Sequence, residues 1–148
     1  MATRFLFALS LCFEAAAAIT RIQSQELEKV VQAVEERDDH QPVPIYNNFA
    51  GGPWAGKEKR YVPHILVNYK GFAKIHVQHR EARTEEHHFD LVYLRDAHTN
   101  ELVAGAYLTP EDMDAIEFKY DESIRAVHVY ARHTLTGLWS EAIEHEEL

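Results

Sequence analysis

The stretch TEEHHFDLVYL, residues 84–94, sets two adjacent histidines behind two glutamates and directly before an apolar run. Imidazole is both a metal ligand and a group that titrates near neutral pH. His87 and His88 are therefore the first residues that could carry chemistry. Adjacent residues of a strand face opposite sides, so only one of the pair can look inward. Ten histidines are spread from His40 to His145, a supply that permits metal binding or pH sensitivity without establishing either. Other chemistries find less support. AGGPWAG at 50–56 lacks the Lys-Ser/Thr pair of a phosphate loop and precedes a strand pattern, not a helix. No serine sits in a nucleophile elbow, and no spacing pairs two carboxylates for acid–base work.

The elements that must position these histidines can be read from composition and periodicity. The chain has 148 residues, 46% apolar and 26% charged, enough for one domain with its own core. A formal charge of −9 argues against nucleic acid, which needs clustered Lys and Arg. Cys12 is the single cysteine, so no internal disulfide can form. It lies in an apolar run and reads as buried or membrane-facing.

Residues 1–19 have a basic start, an apolar stretch from Phe5 to Phe13 and small residues at Ala15–Ala18. That is the layout of a secretory or organellar targeting segment. Glu14 interrupts it, and the stretch is too short to span a bilayer. A helix docked on a partner or a membrane surface is the rival reading. The compartment stays unassigned, with an organelle or the secretory pathway expected.

Thr20 and Gln23 fit a capping box, and Leu27, Val30, Val31 and Val34 follow at helical spacing. The pattern predicts a helix over 20–37 that lays this stripe on its own domain, with a partner chain as the alternative cover. Residues 38–57, rich in proline and glycine, read as a linker or wrapping loop that Tyr46 and Trp54 could pin down. Beyond it come short runs rich in β-branched and aromatic residues, at 61–69, 72–79, 88–95, 102–108, 115–120 and 125–133. AIEFKY at 115–120 alternates, with Ile116, Phe118 and Tyr120 on one face and Glu117 and Lys119 on the other. RDAHTNE at 95–101 is a hairpin turn. The expected architecture is mainly β, an antiparallel sandwich or small barrel preceded by an α-helix, with an acidic tail at 140–148. No internal repeat is present.

The residues from 58 to 139 resemble the ferrous-iron domain of the desulfoferrodoxin and superoxide reductase family. That family opens with Glu-Lys-His-Val-Pro, and this chain has EKRYVPHILV. The family's Val-x-x-His-Pro-Met and His-Tyr-Ile landmarks correspond to VQHREARTEEHHFDLVYL. Its Leu-x-Pro turn corresponds to LTP at 108–110. Its closing Cys-Asn-x-His-Gly-Leu-Trp corresponds to HTLTGLW at 133–139. The order and spacing agree over some eighty residues, and the resemblance implies an immunoglobulin-like β-sandwich.

The resemblance also implies a site. Superoxide reductases hold a mononuclear non-haem iron with equatorial histidines, an axial cysteine thiolate and a position open to superoxide. The first family histidine falls on Tyr61. The second falls on His79 if two residues are inserted, or on Glu81 if none are. The third falls on His87, the axial cysteine on His133, and the last histidine on Thr136. Lys59 matches, or adjoins, the lysine that attracts the anion, which makes it the catalytic candidate. The metal candidates are His79, His87 and His133, with His64 as a further imidazole if a bulge turns it inward. Imidazole donates less charge than thiolate, and threonine is a very weak ligand. The expectation is that His87, not His88, points toward the iron position and that the ligand shell is incomplete.

Two functions follow from different classes. One is a non-catalytic interaction or accessory subunit with a degenerate iron site and no cofactor, bound to other protein subunits, a membrane-associated complex among them. The alternative is an iron oxidoreductase that reduces superoxide to hydrogen peroxide.

Overall fold

Every apolar run after the linker is a strand, because each one has a face to cover. The fold is a computed structural model that describes residues 19–77, 86–111 and 115–141. In chain order the elements are β1 (Thr20–Arg21), α1 (Ser24–Glu35), β2 (Ile45–Tyr46), β3 (His64–Tyr69), β4 (Phe72–His76), β5 (Phe89–Asp96), β6 (Leu102–Tyr107), β7 (Ala115–Lys119), β8 (Val127–His133) and β9 (Gly137–Ser140). They build two sheets, of order β1-β6-β5-β8-β9-β2 and β3-β4-β7. Pairing is antiparallel throughout except between β2 and β9, which run parallel. The mainly β sandwich expected from the alternating runs is therefore present, with one parallel pair contributed by the linker.

One core lies between the sheets and includes Ile75, Phe89, Val92, Leu94, Ile116, Phe118 and Val129. Ile116 and Phe118 are buried, Tyr120 packs half-buried on the same core, and Glu117 and Lys119 are exposed. The period-2 pattern of AIEFKY thus reports its register correctly. A second core lies under α1, where Leu27, Val31 and Val34 cover Leu91, Tyr93 and Leu138, with Val30 at the margin. A helix of this length is marginal alone in water, so its stability comes from this face. Gly105 of β6 permits the approach: a Cβ there would lie 2.6 Å from Leu27 Cδ1.

The helix is shorter than the expected 20–37. Thr20 does not cap it but pairs with Tyr107 in β1, and Ile22 donates its N–H to Gly105 O. Gln23 is the N-cap, with extended backbone and no side-chain cap bond. Ile19 and Ile22 pack on the two cores, and covering them in a strand outweighs one capping bond. At the other end the chain turns back through His40, at φ 61°, and Val43 N–H reaches Glu35 O.

Polar bonds fix α1 to the sheet. Tyr93 donates its hydroxyl to Glu35 Oε1 at 2.6 Å, and Arg95 Nη2 reaches both Glu35 oxygens at 3.1 and 3.0 Å. Tyr130 stacks on Tyr93 at 5.0 Å and 8°. Burial, then the bond to Glu35, pushes the Tyr93 phenol up, and burial raises Tyr130 as well. A raised folded pKa means the native state keeps protons that the unfolded chain loses above about pH 10. The stability is complete below that pH and falls above it, by about 1.4 kcal/mol per pH unit for Tyr93 and by less for the more solvated Tyr130. Absorbance at 295 nm should therefore show these two phenolates appearing together with loss of the circular dichroism signal. Ionisation of all seven tyrosines near pH 10 with the fold intact would contradict this.

Candidate functional site

β8 ends at His133, a turn spans 134–136, and β9 begins at Gly137, whose φ of +98° suits glycine. Phe89 at the start of β5 is the register partner of His133. A one-turn 3-10 helix, Glu58–Arg60, delivers Tyr61 to the same place just before β3. Three positions that the resemblance assigns to ligands, Tyr61, His133 and Thr136, are therefore gathered from distant parts of the chain.

The side chains found there are engaged with one another and with their neighbours. His133 is 5% exposed and meets Tyr61 at 4.9 Å and Phe89 at 5.0 Å, both edge-on. Its Nδ1 accepts the backbone N–H groups of Leu135 at 3.2 Å and Thr136 at 3.4 Å. An accepting Nδ1 places the hydrogen of the neutral ring on Nε2. Thr136 is buried, and its Oγ1 accepts the Trp139 indole N–H at 2.8 Å. Trp139 is fully buried between Tyr61 at 5.4 Å and Tyr46 at 5.3 Å, and Trp54 covers Tyr61 at 6.4 Å. Tyr46 and Trp54 thus pin the linker onto the sandwich, as the aromatic residues in that segment suggested.

The histidine pair is placed the other way round from expectation. His88 is buried at 7% and His87 is exposed. β5 begins only at Phe89, so the strand alternation used to orient His87 does not extend back to it. Thr134 instead fixes the backbone: its N–H reaches His88 O at 2.9 Å, its Oγ1 accepts His88 N–H at 3.2 Å, and its hydroxyl donates to Glu86 O at 2.7 Å. His79 lies outside the described residues. His64 stands 3.4 Å from Glu141 on β3. Lys59 is exposed on the turn before Tyr61. Among the described residues, no three His, Cys, Asp or Glu side chains converge as a metal would require. On the outer face, Asp90 and Arg132 form a two-pronged pair at 2.9 Å, whose hydrogen bonds raise the guanidinium further.

Two grooves lie elsewhere. One of about 460 Å³ runs past Arg21, Phe118 and Lys119, and one of about 650 Å³ runs between α1 and β6 past Glu35 and Arg95. Neither is lined by Tyr61, His133 or Thr136. The Thr136–Trp139 bond had no signal in the sequence beyond the positions themselves, since a hydroxyl three residues from an indole is common.

The architecture has a counterpart among solved proteins. The superoxide reductase from Treponema pallidum superposes with a TM-score of 0.52 at 19% identity, over 68% of this chain and 75% of that one. The fold is superoxide-reductase-like. No protein-family model and no curated protein matches the chain. The solved likeness covers the fold alone, and Lys59, His79, His87 and His133 remain expectations drawn from sequence.

Proposed function

We propose that this chain is a superoxide-reductase-like β-sandwich acting as a non-catalytic interaction or accessory subunit, with the iron position given over to side-chain packing. The observation that carries this reading is the use already made of the donor atoms. Thr136 Oγ1 serves the Trp139 indole, His133 Nδ1 serves two backbone amides, and Tyr61 is wedged between His133, Trp139 and Trp54. Building an iron shell there would require breaking those bonds and displacing fully buried aromatic surface. No thiolate is available from the domain, since the single cysteine is Cys12. Among the described residues, the donor set does not fit the family's iron centre. Other protein subunits are the partners this reading implies, with a membrane-associated complex among the assemblies that would use the N-terminal segment.

The experiment is a superoxide decay measurement on the full chain, incubated anaerobically with ferrous iron and freed of excess metal. The expected rate is that of spontaneous dismutation in the same buffer. Catalytic consumption of superoxide that is lost on His133→Ala would overturn the proposal in favour of the oxidoreductase.

A further inference from the structure

β3 is an outer strand of the small sheet, so among the described residues one of its backbone edges has no strand beside it. Natural proteins shield such edges with charge, proline or a covering segment. This edge instead shows Leu66, Val67 and Tyr69, exposed at 55%, 42% and 66%. Val67 and Tyr69 share a face, with Leu66 at the irregularity before them, and lysines flank that face despite the chain's charge of −9. Val67 is the register partner of Lys74, and Tyr69 of Phe72, which in turn pairs with Lys119. Lys70 follows at the hairpin, and the three lysines face two carboxylates, Glu117 opposite Lys74 and Glu122 beside Gly71.

The last described residue before the C-terminal segment lies at the start of this edge. Glu141 follows β9 and accepts the Ile65 N–H at 2.9 Å, with its other oxygen 3.4 Å from His64 Nδ1. The residues after it, 142–148, read AIEHEEL, with Ile143 and Leu148 apolar and Glu144, Glu146 and Glu147 acidic. Extended, this segment spans about 23 Å. The stretch from Leu66 to Tyr69 needs only about 13 Å. We propose that residues 142–148 dock along the outer edge of β3, covering Leu66, Val67 and Tyr69 and setting their carboxylates toward Lys70, Lys74 and Lys119. The partner that this face fits is an extended, acidic segment with interspersed apolar side chains, and the chain carries one tethered at the right place. The inference is independent of what occupies the iron position.

Amide hydrogen exchange by NMR tests it on three proteins: the full chain, a chain ending at Glu141, and the full-length E144K/E146K/E147K variant. In the full chain, at least one amide between Leu66 and Tyr69 should exchange about tenfold more slowly than in either variant. Raised salt should erode that protection. Carbodiimide coupling should join Glu144, Glu146 or Glu147 to Lys70, Lys74 or Lys119 within one chain. Identical exchange in all three proteins would overturn the proposal. So would couplings found only between two chains, which would make a second copy the occupant, or protection that arises only with anionic vesicles.

Discussion

Replacing Trp139 with alanine should lower the unfolding free energy by about 4 kcal/mol, the cost of emptying a fully buried aromatic site. Trp139 has no exposed surface and lies between Tyr46 and Tyr61. Its indole N–H is the donor to Thr136 Oγ1 at 2.8 Å. The substitution therefore opens a cavity and strands a buried hydroxyl. It also releases the linker, because Tyr46 of β2 packs on that ring. Denaturant unfolding, with an unchanged dependence on denaturant concentration, checks this. A loss below about 1 kcal/mol would show that the aromatic cluster is peripheral to the core.

Glu35→Ala should cost roughly 2–3 kcal/mol, a figure typical of losing hydrogen bonds to a charged group. Glu35 is the common acceptor for Tyr93 and Arg95, and the side chains of Arg95 and Glu35 are 16% and 26% exposed. The pair is thus shielded far more than a surface ion pair, although residual water contact keeps the cost below that of a fully buried one. Without Glu35, the Tyr93 hydroxyl keeps its burial and loses its acceptor, and the Arg95 guanidinium is left with its bond to Asn100 O. Glu35→Gln should cost less, since an amide oxygen can still accept. Equal losses for the two variants would mean that the carboxylate charge, not the acceptor geometry, ties α1 to the sheet.

The strands were legible in the sequence because their runs are rich in β-branched and aromatic residues, bounded by turn residues and in places alternating with period two. Ile116 and Phe118 against Glu117 and Lys119 is the clearest case. The stripe of Leu27, Val31 and Val34 was legible for the corresponding reason at helical period. What failed was local and terminal. Thr20 and Gln23 carry a capping pattern, but the need to cover Ile19 and Ile22 draws that segment into β1 instead. The two-residue strand β2 is too short to show a period, and its place is set by Tyr46 meeting Trp139. The orientation of His87 and His88 depended on where β5 begins, and a shift of one residue exchanges the two faces. Thr134 decides that boundary from 46 positions away. Tyr61, His133 and Thr136, set at ligand positions only by the resemblance, lie together around Trp139. That Thr136 and Trp139 would bond to each other could be known only from their geometry.

Iron content after anaerobic loading tests the central claim most directly. The full chain is incubated with ferrous iron, desalted and assayed for metal, alongside a Thr136→His variant that adds an imidazole at a family ligand position. The account predicts iron far below one equivalent in the unaltered protein, because its donors are already bonded to indole and backbone. Stoichiometric iron in the unaltered protein, lost on replacing His133, would contradict it.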